Sequence, residues 1–361
     1  MSALLCWAYP GCINTKKQMR DGTTSHIKNV PIGTCGLIVP WNFPVLLGMW
    51  KTAPALAAGN TVIFKPSEWT PLTFIRFADL LKEAGLPDGV FNLVLGDGKV
   101  GKEIVEHETI KKISFTGSIP TGKSIYSACA ASLKRISLEL GGKSPFIICE
   151  NIDEDQAADW AVFASLFNQG EVCVAAPRLL IHHSIYESVK QKLLEKIDQL
   201  NIGDPLSSSV DLGPLISRSH TQQVEDYIIA GKKEGASLLT GGKRIKTTGN
   251  FLSPAVFENV TQEMSIVQEE IFGPVITLQS FMTDEEAVEL ANGTDYGLAA
   301  GILTENSKQA SYFTDRLDCG IVWVNSYHTP YIEAPWGGIK ASGIGRELGV
   351  QGFIISQSTS M

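Results

Sequence analysis

Cys173 is the residue best placed in this chain for covalent chemistry. It lies in Phe167-Asn168-Gln169-Gly170-Glu171-Val172-Cys173-Val174-Ala175-Ala176-Pro177-Arg178. Small neighbours let backbone approach the sulfur and leave room for a second reactant. A free cysteine is by habit buried and inert, so sulfur alone carries little. A second stretch, Leu138-Glu139-Leu140-Gly141-Gly142-Lys143, sets a carboxylate beside a glycine pair. A carboxylate there can act as base to a covalent intermediate on sulfur. Taken alone, Glu139 reads as a solvated strand end.

The elements that must position these groups follow a rhythm that begins at Ile32. Short apolar runs at 33–39, 61–64, 90–95, 112–115 and 135–139 alternate with helical stretches at 45–58, 71–84, 99–107 and 121–132. Such alternation indicates βαβ units and a parallel sheet covered on both faces. Ligands in these sheets sit beyond the carboxyl ends of the strands, where this sequence puts Asn42, Lys65, Gly117 and Glu139. A second α/β region follows. It has helices expected at 157–167, 186–199, 219–234, 284–292 and 308–317, and strands at 178–182, 299–303 and 321–325, with Ile271 to Ile276 between them. The first thirty residues read only as a turn at Asp21-Gly22-Thr23-Thr24 and an extended segment from Ser25 to Val30.

Composition excludes several classes. The 361 residues suffice for two domains, and 44% apolar with 19% charged residues suits a soluble globular chain. A net charge of −8 argues against nucleic acid as a partner. No run of about eighteen apolar residues suggests a membrane span, and the start of the chain lacks a signal-peptide pattern. Seven cysteines (6, 12, 35, 129, 149, 173, 319) without a CxxC pair fit neither a disulfide framework nor a zinc site. A cytoplasmic location is therefore expected. The His182-His183 pair has no third ligand at helical spacing and reads as a strand end, so no metal is expected.

With these stretches in hand the chain resembles the NAD(P)-dependent aldehyde dehydrogenase superfamily, from about Pro31 to Gly349. The resemblance rests on Pro40-Trp41-Asn42-Phe43-Pro44, Lys65-Pro66-Ser67-Glu68, Phe115-Thr116-Gly117-Ser118, Glu139-Leu140-Gly141-Gly142-Lys143, Asn168-Gln169-Gly170-Glu171-Val172-Cys173, Glu270-Ile271-Phe272-Gly273-Pro274 and Pro335-Trp336-Gly337-Gly338. It implies an α/β fold with a Rossmann-type five-stranded parallel sheet domain and a second α/β catalytic domain. The implied layout is an N-terminal remnant with part of an oligomerisation hairpin (1–30), an NAD-binding domain (31–140), a catalytic domain (141–341), and a return to the cofactor domain ending in a short C-terminal strand (342–361).

The chemistry implied is oxidation of an aldehyde to an acid. Cys173 adds to the carbonyl, and the Asn42 amide with the Cys173 backbone N–H stabilises the resulting oxyanion. Hydride leaves to nicotinamide, and Glu139 activates the water that hydrolyses the thioester. Lys51 and Glu347 match positions of a proton path behind this step, and either reads equally well as an ordinary ion-pair residue. No G-x-G-x-x-G follows the first strand, although Gly117 and Gly122 bracket a turn that begins a helix and permits a phosphate there. The resemblance implies cofactor contacts from Pro40, Trp41, Lys65, Ser67, Glu68, Gly117, Ser118, Leu140, Glu270 and Phe272. A carboxylate at Glu68 accepts from ribose hydroxyls and repels a 2′-phosphate, which favours NAD over NADP.

Phe43, Trp50 and Trp336 fall on positions lining the family's aldehyde tunnel. Trp336 resembles the betaine-aldehyde and aminoaldehyde branch, where aromatic rings take an ammonium head, and Glu333 either adds charge or points to solvent. An apolar tunnel for aliphatic or aromatic aldehydes is the alternative. Against the family pattern the N-terminal region is nearly absent, and Phe353 to Ser356 is a stub of the last strand, which leaves the expected homo-oligomer (dimer or tetramer) weakened. A non-catalytic paralogue is a further alternative. A CoA-acylating enzyme would not need a base at Glu139. Glu171 stands where many members carry Gln, a change expected to be tolerated.

Overall fold

The structure, a computed structural model, describes residues 14–245 and 248–360. Residues 1–13 of the N-terminal segment singled out above, with Cys6 and Cys12, lie outside the described residues.

The first part of the chain forms β1 (Asn14–Gln18), β2 (Thr24–Pro31), β3 (Thr34–Ile38), α1 (Pro44–Ala57), β4 (Thr61–Lys65), α2 (Leu72–Glu83), β5 (Phe91–Leu93), α3 (Gly98–Glu106), β6 (Ile110–Thr116), α4 (Ile119–Ala130) and β7 (Arg135–Glu139). Next come β8 (Pro145–Ile148), α5 (Glu154–Leu166), β9 (Arg178–His182), α6 (Tyr186–Asp198), α7 (Arg218–Glu234), β10 (Ser237–Thr240), β11 (Ala255–Glu258), α8 (Ser265–Gln268) and β12 (Val275–Phe281). The chain closes with α9 (Asp284–Asn292), β13 (Ala299–Leu303), α10 (Ser307–Thr314), β14 (Ile321–Val324), β15 (Gly343–Ile344), α11 (Gly349–Ile354) and β16 (Gln357–Ser360).

Two compact units result. One runs through Leu140 and takes in Pro330–Gly337 and the chain from Gly343 onward; the other holds Gly141–Thr329 and Gly338–Ser342.

The first unit contains a sheet ordered β15-β7-β6-β3-β4-β5. Five strands are parallel, as expected, and the two-residue β15 adds an antiparallel edge to β7. The order reverses between β3 and β6, the place where doubly wound sheets bind ligands. Ile113 and Phe115 of β6 enter an apolar core with Ile104, Ile125 and Leu138. The alternate residues Lys112, Ser114 and Thr116 are also buried, so one covered face of the central strand is polar. A second sheet orders β1-β2-β16, all antiparallel. Here the expectation for Phe353 to Ser356 fails: Phe353 and Ile354 end helix α11, and the strand that pairs with β2 is Gln357–Ser360. Gly349 and Gly352 pack closely against backbone, which admits a helical turn where an apolar run had suggested a strand.

The second unit has a seven-stranded sheet ordered β10-β11-β12-β9-β8-β13-β14, parallel except at β10. β8, β10 and β11 are four-residue strands absent from the sequence reading. Ile271 to Pro274 precedes the strand, which begins at Val275. α7 begins at Ser217, whose side chain caps it, and ends on left-handed Gly235.

Candidate functional site

Within the first unit, α1 and the loop leading into it carry the largest share of the named residues. Pro40 and Trp41 are half-buried in the loop after β3, with Asn42 next to them and Phe43 at the helix N-cap. Proline at the first helical position suits this start, because its missing N–H has no partner there in any case. Trp50 meets Trp336 edge to face, with ring centroids 5.0 Å apart. Trp336 in turn pairs its backbone with Glu347, the Trp336 N–H donating to Glu347 O at 2.6 Å and the Glu347 N–H to Trp336 O at 2.7 Å. Lys51 and Glu347 form a buried ion pair, and Ser114 Oγ donates to the same carboxylate at 3.0 Å. Lys112, farther along that face of β6, donates to Ile355 O at 2.9 Å and is pushed down to about 8 by burial.

Glu139 ends β7, 4% exposed. Its Oε2 accepts from none of the described residues. Burial first, then the charge of Glu347, holds its carboxyl well above the usual carboxylate range, against the opposing pull of Lys51 and Arg346. Gly337 faces it so closely that a Cβ there would stand 2.8 Å from Glu139 Oε1. A buried carboxyl with a raised pKa and one unpartnered oxygen has the chemistry a general base needs.

The other strand ends hold groups suited to a dinucleotide. Lys65 is buried, with Nζ 3.2 Å from Pro66 O and 3.6 Å from Glu68 Oε2, and Glu68 is exposed. Ser67 is buried and accepts from the Trp69 N–H at 3.3 Å. Gly117 leads into Ser118, whose Oγ lies 2.9 Å from Thr121 Oγ1 and does not cap α4. The first turn of α4 therefore keeps backbone N–H groups for an anion. A Cβ at Gly122 would stand 2.5 Å from Leu140, which lets that helix lie close to Leu140. An uncapped helix start and an exposed carboxylate beside a buried lysine fit the pyrophosphate and ribose of NAD.

In the second unit Cys173 lies on a turn closed by Ala175 N–H to Val172 O at 2.9 Å. It is half-exposed while Gly170, Glu171, Val172, Val174, Ala175 and Ala176 are buried. The turn is tethered on several sides. Ser165 Oγ donates to Ala176 O at 2.7 Å, and Tyr327 Oη donates to Val174 O at 2.8 Å. A Cβ at Gly142 would stand 2.4 Å from Cys173 O, so the glycine pair is what allows this approach. Glu270 accepts from the Gly142 N–H at 3.1 Å, and burial lifts it to about 7. Gly142, Lys143, Gly170, Val172 and the Glu270–Gly273 loop line a common cleft.

The sequence did not single out Tyr327, Arg178, Lys112 or His220. Arg178 is fully buried and donates to the carbonyls of Lys143, Leu290 and Ala291 at 2.9, 2.9 and 2.6 Å. Only for Lys112 was there a local signal, a lysine alternating with Ser and Thr on an otherwise apolar strand. Glu333, named as a source of charge, is exposed. Tyr327→Phe removes the hydroxyl that satisfies Val174 O and costs about 1–3 kcal/mol. At about 2–4 °C per kcal/mol, differential scanning fluorimetry should record a lower Tm, and an unchanged Tm would rule this tether out.

No described helix is long and apolar enough to cross a membrane. Among the described residues no His, Cys, Asp or Glu cluster could hold a metal ion.

Comparison with known proteins places these features in a family. The aldehyde dehydrogenase family model matches residues 8–358. The crystal structure of betaine aldehyde dehydrogenase from Staphylococcus aureus in complex with NAD+ is 40% identical, with a TM-score of 0.94 over 96% of this chain and 70% of that one. The NAD-dependent aldehyde dehydrogenase from Sinorhizobium meliloti is 38% identical, with a TM-score of 0.96 over 99% of this chain and 72% of that one. A turn that presents one half-exposed cysteine, a buried carboxyl of raised pKa and a match across nearly the whole sequence agree, and the chain belongs to the aldehyde dehydrogenase family.

Proposed function

We propose that this NAD-dependent aldehyde dehydrogenase oxidises a cationic aldehyde, of the betaine or amino type, through a covalent adduct on Cys173. The observation that carries the covalent step is the exposure of Cys173 on a turn whose neighbours are all buried. Its thiolate adds to the aldehyde carbonyl: the C–S bond forms and the C=O electron pair moves to oxygen. The Asn42 side-chain amide and the Cys173 N–H stabilise that oxyanion, and losing one such donor costs about 2.7–4 kcal/mol. As the oxyanion pair re-forms C=O, the carbonyl C–H bond breaks and its hydride leaves, so that a thioester remains on Sγ; NAD, when bound, would supply the two-electron acceptor for that hydride. Glu139 takes a proton from water, the hydroxide adds to the thioester carbonyl, and the Cys173 thiolate leaves. Lys51 and Glu347 set the charge around Glu139 and take part in passing its proton on. Lys65, Ser67, Glu68, Gly117 and Ser118 hold the adenosine and pyrophosphate end, with Pro40, Trp41 and Leu140 beside them, and Glu270 and Phe272 hold the nicotinamide end.

Two features favour a cationic substrate: the Trp50–Trp336 pair with Phe43 near the start of the same helix, and the betaine aldehyde dehydrogenase among the related structures. A cation over such rings gains about 0.5–2 kcal/mol each, so two rings give about a fivefold or greater preference in kcat/KM. NADH formation by the purified protein, with betaine aldehyde, 3-aminopropanal and hexanal in parallel, tests this. Higher kcat/KM for the first two supports it. Equal values for all three would leave a broad aliphatic and aromatic aldehyde dehydrogenase, and no NADH from folded protein would leave a non-catalytic one. A homo-oligomer assembled through the β1-β2-β16 sheet belongs to the same reading, and light scattering on the eluting protein gives its mass.

A further inference from the structure

Phe272 holds a left-handed backbone conformation, φ 58°. For a bulky residue this is strained by about 1–3 kcal/mol and persists only where surrounding contacts over-determine it. Several contacts in the second unit converge on its loop. Glu270 N–H donates to Tyr296 Oη at 3.1 Å. His220 Nε2 lies 2.7 Å from Phe272 O. A carbonyl only accepts, so the imidazole carries its proton on Nε2. His220 is itself fixed at the first turn of α7, where its N–H donates to Ser217 Oγ at 3.1 Å.

The same Nε2 stands 3.6 Å from Glu171 Oε1. Glu171 is 3% exposed and accepts from the Ile216 N–H at 3.0 Å, one residue before the Ser217 cap. Gln169 Oε1 accepts from the Gly213 N–H at 3.0 Å, adding a second link between the cysteine stretch and the approach to α7. A Cβ at Gly170 would stand 2.6 Å from Gly273 O, so the two backbones also touch directly. Burial lifts Glu171 to about 8 and lowers His220, which makes this a set of neutral hydrogen-bonded groups at pH 7.

We propose that His220 is a positioning residue: its Nε2–H fixes the Phe272 carbonyl and, with Glu171 on its flank, registers the Glu270–Phe272 loop against the backbone that carries Cys173. It acts through Phe272, and the inference rests on the reading that Glu270 and Phe272 hold the nicotinamide end. The sequence distances, 49 residues from Glu171 and 52 to Phe272, hide this link from any local pattern.

Three variants test it. His220→Phe keeps the ring without the N–H, His220→Ala removes the side chain, and His220→Gln restores an N–H near the Nε2 position. In the protein without NAD, hydrogen exchange of the amides at 271–273 should quicken in the Phe and Ala variants and return toward wild type in the Gln variant. NAD affinity and KM for NAD should weaken roughly 3- to 10-fold in the first two, the span of one buried hydrogen bond, while KM for aldehyde stays within about twofold. Unchanged exchange and NAD affinity in both donor-less variants, or a Gln variant no better than Phe, would overturn the proposal. If only one donor-less variant folds, it is compared with Gln; if neither folds, Gln must match wild type in exchange and affinity, and a Gln variant that does not would overturn it. A wild type that binds no NAD would instead sink the cofactor reading, and the exchange data would still report on the tether.

Discussion

Cys173→Ala should abolish aldehyde oxidation, on the order of 10⁴–10⁶-fold in kcat, while NAD affinity stays within about twofold of wild type. The asymmetry comes from where the sulfur sits. Cys173 is half-exposed at the tip of a turn held by the Tyr327 and Ser165 hydroxyls, which bond the Val174 and Ala176 carbonyls. Replacing Sγ by hydrogen removes the proposed nucleophile and leaves those tethers in place. Steady-state NADH formation and calorimetric NAD binding measured on one preparation separate the two effects. Turnover retained at more than a few per cent would assign the nucleophile elsewhere.

Glu139→Gln should lower steady-state turnover about 10²–10⁴-fold, the usual contribution of a general base. It should leave an initial burst of NADH close to one per active site, because the role proposed for Glu139 lies in the hydrolytic half of the cycle. Its environment adds a pH signature. Water activation needs the carboxylate, so kcat falls as pH drops through the Glu139 pKa, and burial with the Glu347 charge sets that limb above the ordinary carboxylate range. Glu347→Gln removes the like charge and should move the limb to lower pH. Lys51→Met removes the opposing charge and should move it higher.

Stability gives an independent reading of the same group. The folded pKa of Glu139 is raised above its unfolded value of about 4.3, so the folded state is penalised increasingly as pH climbs from the unfolded pKa toward the folded one. Glu139→Gln lacks that penalty. Its Tm should exceed wild type at pH 8 and match it near pH 4, checked by thermal melts across that range; equal melts at both pH values would mean that Glu139 ionises as freely as in the unfolded chain.

Much of this organisation was legible in the residues. The alternation from Ile32 gave the strands at β3, β4, β6 and β7 and the helices between them, because each is a run long enough for its period to show. Glu139 and Cys173 stood out because glycines and small residues flank them, and the structure shows the reason in the backbone approach to Cys173 that a Cβ would block at Gly142. Short strands escaped. β8 is four buried residues opened by a proline, and β10 and β11 are four residues each, too brief for either period. Phe353 to Ser356 misled because an apolar run reads alike in helix and strand. Contacts across long sequence separations were not legible in the local pattern, and Lys51 and Glu347 were brought together only by the family resemblance. Tyr327 reaches Val174 over 153 positions, and Lys51 reaches Glu347 over 296. Side chains there are fixed by tertiary packing, which local pattern does not encode.

The covalent step can be read directly by mass. Glu139→Gln protein is mixed with NAD and the best aldehyde substrate, quenched in acid, and its peptides are weighed. The expected result is one acyl group per chain, carried on the peptide containing Cys173 and released by hydroxylamine. An acyl group on another residue, or sustained NADH production with Cys173 unmodified throughout, would contradict thioester chemistry at Cys173 with Glu139 as its base.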